Sequence, residues 1–544
     1  MTNVLRFDKG MQAAKSLLVI SALLALLWLG TPARAQIADF KDVACYVSPQ
    51  TAQQQGTPAP GQTPQPKGQS PNQQPPSPGQ APKPPSPQAQ GETKITPEQA
   101  QELFRSVDEI LRFASKDTQL PIQHSVKREL ANREQVRKFV LTHMQEDRDA
   151  QRLQRSEASM KKFGLLPREF DLRKFMLDLL EDQVAGYYDT KTKTVYLLDW
   201  VEPEAQRPVL AHELTHALQD QNFNLEKWLK VRPDADKHEN PDNLDTGADE
   251  QQAARQAVSE GQGMAVMMDY MLEPSGHSLA DSPLVGEVFK QNTMEHANDS
   301  PIFARAPMYL REMVIFPYVY GLSFLEDLLT KGGKEQAFTG VFKNPPHDTR
   351  EIMQPKSYLD GQHVEPLRLP KLSGVLKKNY AGYDSGSVGE FDVYVLLKQY
   401  SGADLADKLS TAWRGGVYYL GRKKESKAAG SGIPAMGDLG LLYVSDWATA
   451  QDAGYFAKAY SLWLPKKYKS VKAVPEQAGH AWTTDEGPVY IETAGSRVLV
   501  MEGLDADTAT AVRQKVLIAP SSAWIPQHTL DLTAPVWATL HLFH

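Results

Sequence analysis

A single cysteine, Cys45, stands in 544 residues, so no internal disulfide can form and stability must come from apolar cores and bound ions. A basic excess is also missing. The formal net charge is −7, and residues 1–35 carry Arg6, Lys9, Lys15 and Arg34 against Asp8, a net +3, which leaves −10 for the remainder. Phosphate recognition needs a basic face, so this balance argues against nucleic acid as a partner. Residues 51–91 lack aromatics and every aliphatic side chain larger than alanine. Such a stretch cannot bury enough apolar surface to offset its ordering entropy, and it is expected to be an extended, solvated tether.

What is present begins with an export pattern. Arg6, Lys9 and Lys15 precede an apolar run over 17–29 that is short for crossing a bilayer, and Ala33-Arg34-Ala35 places small residues where a signal peptidase reads. Cleavage before Gln36 would release a periplasmic or secreted protein with no stable membrane span. Hydrophobic and charged fractions of 41% and 23% are those of a globular protein, and the length calls for two folded domains. The expected organisation is a signal peptide over 1–35, a Pro/Gln-rich linker over 36–93, a mainly helical domain over 94–369, a smaller α+β domain over 370–525 and a tail over 526–544. The fold class is therefore α+β.

Order is expected to start at Thr96-Pro97-Glu98-Gln99, a capping box with proline at the first helical position, followed by Leu103, Phe104, Val107, Ile110 and Leu111 at helical spacing. A charged helix is predicted over 125–161 and another over 171–184, with Leu172, Phe175, Met176, Leu179 and Leu180 as its apolar stripe. Two β-favouring runs around a polar turn predict a hairpin over 186–198. Helices are expected around residue 212, over 251–271, over 316–329 and over 349–353, with a loop over 275–300. Beyond residue 370, helices are expected over 388–400 and 448–460, and strands over 440–445, 489–492 and 497–502. Trp413, Tyr418, Tyr419 and Trp447 are read as packing side chains or as a binding face.

The chemistry sits in His212-Glu213-Leu214-Thr215-His216. One helical turn separates the two imidazoles, so both project from one face toward a single Zn²⁺ ion, while Glu213 is rotated about 100° away toward a bound water. That arrangement supplies two nitrogen ligands and a general base for metal-assisted hydrolysis. Two buried histidines without an ion would need partners for four ring nitrogens in an apolar setting, which is costly. A catalytic zinc takes a third protein ligand. The residue six beyond His216 is Asn222, so no third histidine follows in that spacing, and a carboxylate is expected instead. Glu260 is favoured, on a helix whose Gly261 and Gly263 allow close backbone approach. Asp249 and Glu250 remain rival ligands, and Asp220 is a candidate to orient an imidazole. For an oxyanion donor, Tyr270, Tyr318, Tyr320 and His296 are all available and spacing singles out none.

His-Glu-x-x-His followed by a helix carrying Glu260-Gly261 resembles the gluzincin group of zinc metallopeptidases, which includes thermolysin and the M1 aminopeptidases, over about residues 185–271. The resemblance implies a zincin-like domain, zinc as cofactor, His212, His216 and Glu260 as ligands, Glu213 as general base, and a peptide or protein substrate. It also implies that an edge strand beside the metal pairs with extended substrate, a role for which 194–198 is placed in sequence, the alternative being an ordinary hairpin that covers a core. Two departures stand out: the gap from His216 to Glu260 is longer than in thermolysin, and Met264 occupies the place of an acidic supporting residue. The expectation is an exported zinc-dependent peptidase. The alternatives are a non-enzymatic exported protein in which zinc stabilises a binding or cell-envelope module, and a zinc hydrolase acting on something other than peptides.

Overall fold

A computed structural model describes residues 94–518, apart from 145–146, 184–185, 232–239, 243, 245–246, 282–284, 297–299, 427–431 and 478–479. The expected signal peptide, the expected linker up to residue 93 and the expected tail lie outside the described residues, as does Cys45. The class is α+β.

Helix α1, Pro97–Thr118, starts on its capping box: the Gln99 amide donates to Thr96 Oγ1 at 3.2 Å and the Thr96 amide donates to Gln99 Oε1 at 2.7 Å. Its Leu103, Val107, Ile110, Leu111 and Ala114 stripe is buried. The segment expected as one charged helix behaves differently. Lys127–Ala131 is a strand, β1, and only then come helices α2, Arg133–Met144, and α3, Asp147–Phe163. Lys-Arg-Glu-Leu-Ala has no strong strand preference; its conformation follows from parallel pairing with a strand some 70 residues downstream. Helix α4, Leu172–Gln183, buries Leu172, Phe175, Met176 and Leu179 as its spacing predicts.

The hairpin forms from β2, Tyr187–Asp189, and β3, Thr194–Leu198, in antiparallel register. In the three-stranded sheet the order is β1-β3-β2, so β3 is central and both of its edges are taken. The expectation that 194–198 pairs with substrate is therefore corrected: β1 pairs along all of it and β2 along Thr194–Tyr196.

Three helices build the centre of the helical half. Helix α5, Pro203–Phe223, carries His212 and His216; α6, Ala248–Leu272, carries Glu260; and α8, Met308–Glu335, packs against α6. Between them lies α7, Val285–His296, within a region expected to be loop. Its polar sequence gives a weak periodic signal; Phe289 is buried, and the helix packs against α8, where the Gly286 amide donates to Glu326 Oε1 at 3.1 Å. Among the described residues one helical stretch, Met308–Lys343, is long and apolar enough to cross a membrane, and 67% of its most apolar window is buried in the fold. Core packing accounts for that apolarity. The short helix α9, Thr349–Met353, follows as expected.

The rest of the chain forms a seven-stranded antiparallel sheet of order β4-β5-β6-β10-β9-β8-β7: β4 is Tyr380–Ser387, β5 Trp413–Lys423, β6 Leu439–Trp447, β7 Val471–Ala473, β8 Ala481–Thr484, β9 Gly487–Ala494 and β10 Arg497–Glu502. Helices α10, Glu390–Ser401, and α11, Ala450–Lys467, pack with one apolar group, and α12, Ala506–Arg513, with the other. In β10, Val498 and Val500 join the first and Leu499 and Met501 the second. Covering on both faces explains its unbroken apolar run. β4 and β5 escaped sequence reading because glycines interrupt their alternation. One continuous apolar core runs from Ile95 beside the helical half to Val500 in the sheet. Trp413, Tyr419 and Trp447 are buried within these cores, and Tyr418 donates to Asp384 Oδ2 at 2.8 Å, so these aromatics pack the interior.

Candidate metal centre

Helix α5 is held where it is by its neighbours. The Gln206 side chain ties its first turns to the hairpin, accepting from the Leu198 amide and donating to the Leu198 and Val201 carbonyls. Val209, Leu210, Leu214, Ala217 and Leu218 are buried, and so are His212, Glu213 and His216 between them. Opposite them, α6 places Glu260.

The ligand atoms converge. His216 Nε2 lies 3.0 Å from His212 Nε2, and Glu260 Oε2 lies 3.2 Å from His212 Nε2 and 3.4 Å from His216 Nε2. Ligands at about 2.0–2.1 Å from a tetrahedral Zn²⁺ ion stand about 3.3 Å from one another. The triangle has that size. The carboxylate that meets the imidazoles is Glu260, while the rival Glu250 is engaged elsewhere, accepting from the Thr349 amide at 3.0 Å and its hydroxyl at 2.6 Å. Asp249 points toward the Gly386 backbone on β4.

The charges fit a cation as well. Burial raises the Glu260 pKa, but the charges and hydrogen bonds of His216 and His212 outweigh it and hold the carboxyl down at about 2. Burial lowers the His216 pKa, and Glu260 overrides it, lifting the imidazole to about 9. A fully buried carboxylate is thus kept ionised and needs a positive neighbour; a proton on His216 provides it in the metal-free chain, and a divalent ion would take over that role with release of the proton.

Tautomer and orientation are set by a hydrogen-bond chain. Gln219 Nε2 donates to the Ser259 carbonyl at 3.0 Å and to Gln262 Oε1 at 2.8 Å, and Gln262 Nε2 donates to the Ala337 carbonyl at 2.7 Å. With its amide nitrogen so committed, Gln219 presents Oε1 to His216 Nδ1 at 2.9 Å and accepts from Ser259 Oγ at 2.9 Å. The proton must then sit on Nδ1, leaving the Nε2 lone pair for an ion. Sequence reading missed Gln219, although its place three residues beyond His216 on the same face was the available signal. Asp220, the expected orienter, does something else: it accepts from Tyr188 Oη at 3.0 Å and Lys193 Nζ at 2.5 Å, tying α5 to the hairpin.

The two glycines beside Glu260 divide the close approaches. A Cβ on Gly263 would lie 2.7 Å from His212 Cε1 and Nδ1, and a Cβ on Gly261 would lie 2.3 Å from the Gly321 carbonyl oxygen. Gly263 admits the imidazole; Gly261 admits α8.

Glu213 is anchored at one oxygen and open at the other. Oε2 accepts from the Tyr188 amide at 2.8 Å, while Oε1 is buried with no hydrogen-bond partner. Burial raises its pKa against the pull of His212 and His216. Of the side chains considered for an oxyanion donor, Tyr318 packs on an imidazole: its ring stacks on His212 with centroids 6.2 Å apart, and burial, then the charges of Glu260 and Glu213, push its phenol well above the ordinary range. Tyr270 packs edge-on to Phe113, and Tyr320 packs on Phe316 and under Lys290. The His296 side chain lies outside those described.

Residues 378–513 match a family described as a domain of unknown function, DUF8575. This segment takes in β4 to β10 and lies outside α5 and α6, so it bears on the sheet and not on the candidate metal centre. Neither the curated proteins nor the solved structures contain a match to the chain.

Proposed function

We propose that the chain is an exported zinc-dependent peptidase of zincin-like architecture, with His212, His216 and Glu260 as ligands and Glu213 as general base. The observation that carries this reading is the triangle of two imidazole nitrogens and one carboxylate oxygen, with sides of 3.0, 3.2 and 3.4 Å, beside a carboxyl whose second oxygen is unpaired. When bound, the ion supplies a Lewis acid that lowers the pKa of a coordinated water and polarises a carbonyl. The residues of the chain do the remaining work. Gln219 holds His216 in the tautomer that leaves Nε2 bare. The Tyr188 amide pins Glu213 through Oε2, so that Oε1 can accept the proton of the attacking water and pass it to the leaving amine. Tyr318, kept protonated by burial, is a hydroxyl able to donate to charge developing on the carbonyl oxygen.

The test is Glu213→Gln in the full chain. Zinc per chain is expected to stay at the wild-type value while cleavage of a peptide library falls by at least about 100-fold; near-normal turnover would refute the general-base role. A chelator is expected to abolish cleavage and added zinc to restore it.

One observation favours the second reading, a zinc-stabilised binding module: His212 is 3% exposed, and Glu213, His216 and Glu260 are each 1% exposed. A polypeptide reaches such a centre only after the surrounding helices part. A zinc-loaded wild type that cleaves no peptide, and that loses thermal stability on chelation, would establish this reading instead.

A further inference from the structure

A second group of imidazoles and a carboxylate stands on other elements. His347 immediately precedes Asp348, which caps α9 by accepting from the Glu351 amide at 2.9 Å. The Glu351 side chain is completely buried, yet it turns both oxygens toward histidines. Oε2 accepts from the His347 amide at 2.8 Å and lies 3.5 Å from His347 Nδ1, while Oε1 contacts His363 Nδ1. The two rings face one another with centroids 4.3 Å apart and planes inclined by 58°. The three donor atoms lie within 4.8 Å of one another, the two histidine side chains 45% and 37% exposed.

We propose that His347, Glu351 and His363 form a second site for a divalent transition-metal ion, open to solvent and separate from the His212 centre. Two imidazole nitrogens and one carboxylate oxygen are the donor set favoured by Zn²⁺, Ni²⁺ and Cu²⁺. His347 and Glu351 are four residues apart across the start of α9, and His363 arrives from beyond the next short helix, Pro355–Leu359. An ion there would fasten two parts of the chain that otherwise meet through hydrogen bonds and ring contact, and the exposed imidazoles leave room for water to complete the coordination. The site also touches the first centre's support: Thr349, two residues from both His347 and Glu351, donates through its amide and hydroxyl to Glu250 on α6, the helix that carries Glu260. An ion at Glu351 therefore steadies α6 from outside, while contributing no group to the reaction.

The experiment is elemental analysis of the full chain after equilibration with buffered zinc and removal of free ion. The His347→Ala/His363→Ala variant is expected to hold one zinc ion fewer than wild type. In Cu²⁺-loaded protein, the paramagnetic resonance species with nitrogen coupling that belongs to this site is expected to disappear. Both rings are partly exposed, so the fold should tolerate their loss, and circular dichroism checks this. A His347→Asn/His363→Asn pair repeats the measurement with polar replacements. An unchanged zinc count in the folded variants overturns the proposal and leaves Glu351 as a hydrogen-bond acceptor for two histidines.

Discussion

Gly263→Ala puts one methyl group against one proposed metal ligand. The new Cβ would lie 2.7 Å from His212 Cε1 and Nδ1 and 3.1 Å from Cγ, whereas unstrained contacts begin at about 3.5 Å. The imidazole must therefore retreat by about 0.8 Å or α6 must draw back by the same amount. Metal–ligand distances tolerate about 0.2 Å. Either movement breaks the triangle with His216 and Glu260. Displacing a ligand costs more than losing an outer partner, so zinc affinity should fall by at least about 100-fold. The metal-free chain responds differently: alanine gains up to about 1 kcal/mol in helix propensity, which offsets part of an overpacking strain of about 1–3 kcal/mol. Gly261→Ala is the control. Its Cβ meets the Gly321 carbonyl oxygen at 2.3 Å, and backbone in the facing helix cannot swing aside, so the cost should reach about 3 kcal/mol or more in fold stability, with or without metal. Competitive titration against a chromophoric chelator reads affinity, and urea unfolding of the chelated chain reads stability. Wild-type zinc affinity in a folded Gly263→Ala chain would refute the reasoning.

Two further outcomes follow from the hydrogen-bond network and from one buried acid. Gln219→Leu removes the acceptor at His216 Nδ1 and is expected to weaken zinc binding by about 10–100-fold, measured by the same competition. Glu390 is buried on α10, and burial outweighs its Gln354 hydrogen bonds and the Arg350 guanidinium 3.7 Å away, raising its pKa from 4.5 to about 8. The folded chain then keeps a proton that the unfolded chain has released. Stability contributed by this group is present below pH 4.5 and declines as the pH rises to about 8, at no more than about 1.4 kcal/mol per pH unit. Urea midpoints taken between pH 5 and 8 should fall less steeply in Glu390→Gln than in wild type; equal slopes would count against a protonated Glu390.

Some of this architecture was legible in the chain itself. Thr96 and Gln99 lie three residues apart, and a capping box needs nothing more distant. His212 and His216 share a face because the helix repeats every 3.6 residues, and the glycines beside Glu260 announce a close approach before any partner is known. Other features depended on residues far along the chain. Lys127–Ala131 became a strand, and Thr194–Leu198 lost its free edge, through a pairing between them that neither segment encodes alone. Asp220 turned to the hairpin and Gln219 to His216, although both sit within one turn of that histidine, because Tyr188, Ser259 and Gln262 decide which acceptor is already occupied. Glu351 met His363 only once the chain had doubled back. Local periodicity thus determined which side chains face the same way; the fold decided what they face, since hydrogen-bond partners and strand neighbours are supplied by segments brought together only when the core closes.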